Sequence, residues 1–125
     1  MQHAIVFGSL LLAALHTARA EVVDIHWPAD GRFTHKGSIA AGKFVEICGK
    51  LPAGVKVNWR FEAGAPVDFN VHYHIGKDVA YPFKQSAVLS GKDTLDAKIE
   101  QDYCWMWSNK SAAPSTLAVQ MQRQP

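Results

Sequence analysis

Two histidines separated by one residue, His72 and His74, are the side chains in this sequence best suited to metal chemistry. They lie in segment 67–75, where apolar and polar residues alternate in the pattern of a β-strand. Residues two apart on a strand point the same way, about 7 Å apart. Two neutral imidazoles at that separation can converge on one copper or zinc ion. Asp68 and Asn70 extend the same face, and Asp68 is placed to orient a ring or add an oxygen ligand.

The sequence does not place further ligands beside this pair. His26, His35 and Met106 carry suitable donor atoms, but nothing in their spacing brings them close to the pair. The competing interpretation is that His72 and His74 belong to the solvated face of a half-buried strand. A cupin-like metal enzyme is disfavoured, because no histidine follows His74 to complete its site.

Residues 1–20 have the pattern of a secretory signal peptide. An apolar run from Ala4 to Leu15 precedes the small-x-small cleavage site Ala18-Arg19-Ala20. We therefore expect one exported domain over residues 21–125, periplasmic in a bacterium and secreted otherwise. No later stretch approaches the ~20 apolar residues of a transmembrane helix, so none is expected.

The chain contains two cysteines, Cys48 and Cys104. In an exported protein such a pair is most simply a disulfide. A bridge between them closes a loop of roughly 57 residues, for which the chain-entropy model gives about 4 kcal/mol of stabilisation. The alternative is a reactive or metal-binding thiol pair.

Composition and motifs argue against catalysis and nucleic-acid binding. The formal net charge is +2, and the charges are scattered rather than clustered into a basic face. No Gly-x-Ser-x-Gly elbow occurs, and the serines fall mostly in turns. The sequence therefore predicts a protein that is not an enzyme and does not bind nucleic acid.

Alternating segments separated by turn residues dominate residues 21–125. The clearest is 55–62, and turn sequences such as Leu51-Pro52-Ala53-Gly54 and Gly76-Lys77-Asp78 separate the segments. No window shows a sustained helical period. Short strands at such intervals predict an all-β fold, an antiparallel, jelly-roll-like β-sandwich of seven to eight strands with one disulfide. We expect segments 94–99 and 103–108 to pair, and the region around Gly37 to form a loop.

Five aromatic residues have two interpretations. They alternate with polar residues, which favours a packed core, although aromatic enrichment is also typical of a ligand-binding groove. The residues are Trp59, Tyr73, Tyr103, Trp105 and Trp107.

The order of these features resembles the Golgi-dynamics (GOLD) domain over roughly residues 44–122. Cys48 precedes a proline/glycine turn, Gly76-Lys77-Asp78-Val79 resembles the family's hairpin, and Tyr103-Cys104-Trp105 with Asn109 follows the family's order. The resemblance implies a disulfide-stapled β-sandwich that binds a protein or lipid partner without catalysis. The sequence shows no coiled coil, transmembrane helix or sorting tail like those of the family's cargo receptors. A role in vesicle traffic therefore does not carry over.

The sequence thus supports two functional hypotheses. The first is an exported, non-catalytic module that recognises a protein or lipid partner through surface residues that the sequence does not identify. The second is a periplasmic copper- or zinc-binding protein that uses His72 and His74, with Asp68 in support. The two are compatible, since a metal site can lie on a binding scaffold.

Overall fold

The computed structural model describes residues 20–125. The predicted signal peptide therefore lies, apart from Ala20, outside the described residues. The described part of the chain forms seven β-strands and no α-helix, and these residues contain no candidate transmembrane helix. The strands are β1 (Glu21–Asp24), β2 (Arg32–Ile39), β3 (Phe44–Leu51), β4 (Lys56–Ile75), β5 (Asp78–Asp96), β6 (Gln101–Ser108) and β7 (Ser115–Arg123).

The long β4–β5 hairpin joins two layers. The first half of β4 pairs with β7, which pairs with β2; the second half pairs with β6, which pairs with β3 and then β1. On its other side β4 pairs with β5 along both halves. We call the layer containing β1, β3 and β6 the first sheet and the layer containing β2 and β7 the second sheet.

β4 bends between the two layers at Ala63-Gly64-Ala65-Pro66. The register with β5 shifts here, between Glu62 and Val67. The Ser115 hydroxyl accepts a hydrogen bond from the Ala65 N–H at 3.0 Å. Pro66 has no N–H to donate, so an interruption of the ladder is its expected place. One continuous strand therefore contributes to both sheets.

Side chains that alternate inward on both layers fill the space between them. The core contains Trp105 and Trp107, both 0% exposed, with Phe61 and Phe69 beside Trp107. The ring centroids of Phe69 and Trp107 lie 5.2 Å apart. Aromatic pairs at this distance contribute about 0.5–1.5 kcal/mol beyond burial of their area. The core thus accounts for the period-two patterns along β4, β6 and β7.

The predicted fold class is confirmed, including the Cys48–Cys104 disulfide. Pairing is antiparallel throughout except between β1 and β3, which run parallel. Two local predictions are wrong. The region around Gly37 is strand β2, and segment 94–99 does not pair with 103–108, because β5 pairs with β4 while β6 pairs with β3 and β4. The predicted segments 55–62 and 67–75 are merged into the single strand β4.

Candidate functional site

The Cys48–Cys104 bridge lies on the outer face of the first sheet, the face turned away from the aromatic core. Cys48 on β3 is directly opposite Cys104 on β6, and their Cα atoms are 4.1 Å apart. His72 on β4 is opposite Cys104 from the other side. Glu46 lies two residues before Cys48 on β3, so its side chain is on the same outer face. We call Glu46, Cys48, His72 and Cys104 the sulfur–histidine cluster.

Within the cluster, His72 is held by contacts at both ring nitrogens. Its Nε2 lies 3.1 Å from Glu46 Oε1, and its Nδ1 lies 2.7 Å from Asn70 Oδ1. An amide oxygen accepts hydrogen bonds, so Nδ1 carries a proton that it donates to Asn70. The two contacts fix the orientation of the ring, and His72 is only 5% exposed.

Burial lowers the pKa of His72, because the charged imidazolium loses its hydration in this position. The neighbouring Glu46 carboxylate acts in the opposite direction, and the nearby His74 adds to the lowering. The pKa of His72 therefore reflects two opposing effects, since burial lowers it and the Glu46 carboxylate raises it.

The structure brings together some of the metal-site residues predicted from sequence. The ring centroids of His72 and His74 lie 5.4 Å apart, and His74 is exposed. Asp68 instead accepts a hydrogen bond from the Ala87 N–H at 3.0 Å, at an irregular point of β5 where Ala87 has a φ of 53°. The Asp68 carboxylate therefore hydrogen-bonds to the backbone of the neighbouring strand and not to a histidine ring.

Of the further ligands considered, Met106 lies beside the cluster. It is directly opposite both Glu46 and Asn70 in the strand register. His35 lies on β2, at the other end of the strand order from β3 and β6. His26 is exposed beyond the end of β1.

Glu46 is the member of the cluster that sequence reasoning missed. It lies 26 residues before His72 in the chain, and no motif links the two. The cysteine pair is the sequence feature from which Glu46 could have been found, because a disulfide fixes the register of β3 against β6. Once Cys48 is placed opposite Cys104, Glu46 falls opposite Met106 on the same outer face.

A second surface, on the outer face of the second sheet, is lined mainly by polar and positively charged side chains. It is a cleft of about 740 Å³ with side chains from β2, β4, β5 and β7 along its walls. Its cations are Arg32, Arg60 and Lys92, and its acidic residue is Asp93. We call this surface the cationic cleft.

The cations of this cleft have no acidic partners among residues 20–125, where the ion pairs are Lys50–Glu100 and His72–Glu46. Arg60 lies directly opposite Lys92 on β5, an arrangement of like charges that disfavours the folded sheet. Its guanidinium donates instead to Gln120 Oε1, with Nε at 2.8 Å. The cleft therefore presents uncompensated positive charge to solvent.

The aromatic residues belong mainly to the core rather than to a groove. Trp59, Tyr103, Trp105 and Trp107 are all buried. Tyr73 is partly buried and packs edge-on against Tyr103, with ring centroids 5.2 Å apart. The packed-core interpretation therefore holds for this set.

Asn109, which opens the sequon Asn109-Lys110-Ser111, is 1% exposed. Its amide donates to Ile39 O at 3.0 Å and Ala113 O at 2.8 Å, and its Oδ1 accepts from the Ser111 N–H at 3.0 Å. The side chain therefore ties the loop after β6 to the end of β2 and is not accessible for modification in the folded protein.

Comparison with known proteins gives a likeness of fold. No family model matches the chain, and no curated protein matches it in sequence. Aeromonas hydrophila PliG, a periplasmic inhibitor of g-type lysozyme, is similar with a TM-score of 0.64 and 15% identity, over 85% of this chain and 98% of that one. Salmonella Typhimurium PliG, another periplasmic inhibitor of g-type lysozyme, is similar with a TM-score of 0.56 and 15% identity, over 84% and 99%.

A third similar structure is the Yersinia pseudotuberculosis-derived mitogen, with a TM-score of 0.57 and 14% identity, over 73% of this chain and 84% of that one. At these identities the similarity establishes a shared β-fold. The neighbours named here are not Golgi-dynamics domains, and that resemblance stays a prediction.

Proposed function

We propose that this chain is an exported, non-catalytic module that binds a protein partner, and that a g-type lysozyme is the first partner to test. The observation that carries the proposal is the similarity to two PliG structures over nearly their whole length. The disulfide supports export, because such bridges form in oxidising compartments. Of the protein and lipid partners implied by the sequence, the protein is favoured.

The cationic cleft is the surface we assign to this partner. Glycoside hydrolases act through paired carboxylates in their substrate clefts. Arginine binds carboxylates through charge-assisted and often bidentate hydrogen bonds. Arg32 and Arg60, without acidic partners of their own, complement such a cleft.

The test is a binding and inhibition assay of the purified protein with a purified g-type lysozyme, with a c-type lysozyme for comparison. The double variant Arg60→Gln/Lys92→Gln is expected to bind at least tenfold more weakly, with most of the loss in the association rate at low salt. The variant Lys77→Gln/Lys110→Gln removes the same charge from exposed sites outside the cleft and serves as the matched control. Failure of the unmodified protein to bind the g-type enzyme contradicts the lysozyme assignment.

A second candidate function is binding of copper or zinc by the oxidised protein through His72 and His74. The 5.4 Å separation of their rings, beside the Glu46 carboxylate, favours it. Calorimetric titration of metal-stripped, oxidised protein with copper and then zinc tests it. One-to-one binding that is lost in His74→Asn, with His35→Asn as control, supports this function, and unchanged binding in His74→Asn contradicts it.

A further inference from the structure

We propose that reduction of the Cys48–Cys104 bridge converts the sulfur–histidine cluster into a four-coordinate zinc site. Its ligands are the two thiolates, His72 Nε2 and one Glu46 carboxylate oxygen. This goes beyond the proposed partner binding and does not depend on it.

The donor atoms are already gathered in one place. Ligand atoms of Glu46, His72 and Cys104 lie within 4.8 Å of one another. Cys48 Sγ lies 3.7 Å from Glu46 Oε1 and is bonded to the Cys104 sulfur. Tetrahedral zinc with bonds of about 2.0–2.3 Å separates its ligands by roughly 3.3–3.8 Å. Breaking the bridge lets the two sulfurs move apart to that spacing, while the other contacts change little.

The hydrogen bonding of His72 prepares the ring for a metal. Metal-bound histidines typically donate their second ring N–H to an oxygen, which fixes the tautomer. His72 Nδ1 makes this contact with Asn70 Oδ1 at 2.7 Å. Its Nε2 lone pair then faces Glu46 Oε1 at 3.1 Å. Two acceptors at that distance repel each other unless a cation, either a proton or a metal ion, lies between them.

The chemistry is thiol–disulfide exchange followed by metal binding. A reducing dithiol attacks the bridge, the Cys48–Cys104 bond breaks, and the dithiol leaves as its own disulfide. Two cysteine thiols result, and one zinc ion displaces their two protons to form two zinc–sulfur bonds. A Cys2HisGlu donor set suits zinc, because thiolate and imidazole are its preferred protein ligands.

We expect the domain to remain folded when the bridge is reduced. β3 and β6 stay paired at eight consecutive positions, from Phe44 opposite Ser108 to Leu51 opposite Gln101. The bridge lies on the outer face, so its opening leaves the aromatic core in place. Loss of the bridge removes a restriction on the unfolded chain, while the strand pairing and the aromatic core of the folded state remain.

Cobalt titration tests the proposal, because Co²⁺ replaces zinc and reports thiolate ligands through its absorption spectrum. The purified protein is reduced with a phosphine and titrated anaerobically with Co²⁺, then with Zn²⁺. We expect one equivalent of tetrahedral, thiolate-bound cobalt, displaced by zinc. We also expect the oxidised protein to bind at least a hundredfold more weakly, without the thiolate band.

Variants identify the other two ligands. Glu46→Gln keeps the size of the side chain, and His72→Asn removes the imidazole; both should weaken binding by at least tenfold. Asn70→Ala should cost roughly 10- to 100-fold through loss of the supporting hydrogen bond. His35→Asn, on β2, should change nothing.

Near-ultraviolet circular dichroism of the tryptophans accompanies each titration to report the fold. A signal that is retained, or that zinc restores only when Glu46 and His72 are present, supports the proposal. Reduced protein that loses the signal and does not regain it with zinc overturns it. Cobalt binding that is equal in oxidised protein, or unchanged in Glu46→Gln and His72→Asn, also overturns it.

Discussion

His72 Nε2 and Glu46 Oε1 meet at 3.1 Å although β6 runs between the strands that carry them. The contact passes over the bridge residue Cys104, which is opposite His72 on one side and Cys48 on the other. The titratable pair His72–Glu46 therefore lies directly beside the Cys48–Cys104 disulfide. Protonation, redox state and stability are consequently connected at this one place on the surface.

Acid should destabilise the protein through His72. Burial lowers the pKa of His72 in the folded state. In the pH window between this lowered pKa and the unfolded pKa of about 6.5, the unfolded chain therefore binds more protons than the folded protein. The stabilising contribution is complete above pH of about 6.5 and is lost as the pH falls through that window. Urea denaturation at neutral and mildly acidic pH measures it.

The variant His72→Gln should remove this part of the pH dependence, whereas His74→Gln, at an exposed position, should retain most of it. A protein that becomes more stable on acidification would show that the two oxygen contacts of the imidazolium outweigh its burial.

Removal of the bridge should destabilise the domain without abolishing its fold. In the double variant Cys48→Ala/Cys104→Ala the free energy of unfolding should fall by about 4 kcal/mol, because the cross-link no longer restricts the unfolded chain. Guanidinium titration followed by tryptophan fluorescence measures the change. An unaltered midpoint in the variant would contradict the assigned role of the bridge.

Loss of the Asn109 side-chain amide should lower the free energy of unfolding substantially, although Asn109 lies outside any strand. Asn109→Ala leaves the buried carbonyl of Ile39 without this donor, and a buried unsatisfied group costs about 1–3 kcal/mol, whereas Ala113 O keeps its hydrogen bond from the Ser111 hydroxyl. Thermal denaturation should therefore show a clear drop in Tm. Asn58→Ala, which loses only exposed contacts with Thr94 and Gln124, is the matched control and should show a much smaller change.

A methyl group at Gly91 should disturb the aromatic core. A Cβ placed there comes 2.7 Å from Phe61 Cε1, and Phe61 is itself packed edge-on against the buried Trp107. Gly91→Ala should destabilise by about 1–3 kcal/mol, as overpacking does. Gly37→Ala, on β2, meets only the His35 ring and provides the control. Equal stability of the two variants would mean that the ring moves aside freely.

The sequence predicted the class of fold because inward and outward residues alternate strictly in β3, β6 and the first half of β4. It missed β2, whose run Thr34-His35-Lys36-Gly37-Ser38 carries little apolar signal and is held by pairing with β7. It also divided β4 at Gly64 and Pro66, since a bend within one strand has the same local composition as a loop.

The candidate sites were less predictable than the fold. The His72–His74 pair was visible from its spacing, whereas Glu46 joins it only through the register of three strands. The cationic cleft collects residues from four strands that are far apart in sequence. Such clusters depend on long-range pairing, which composition and periodicity do not specify.

The β4–β5 hairpin gives the two layers a shared backbone. Because neither sheet is complete without a half of this hairpin, the domain has no smaller unit that could open alone. Amide hydrogens in the middle of both sheets should accordingly share one free energy of opening, equal to the free energy of unfolding of the whole domain. The protein should therefore unfold as a single cooperative unit.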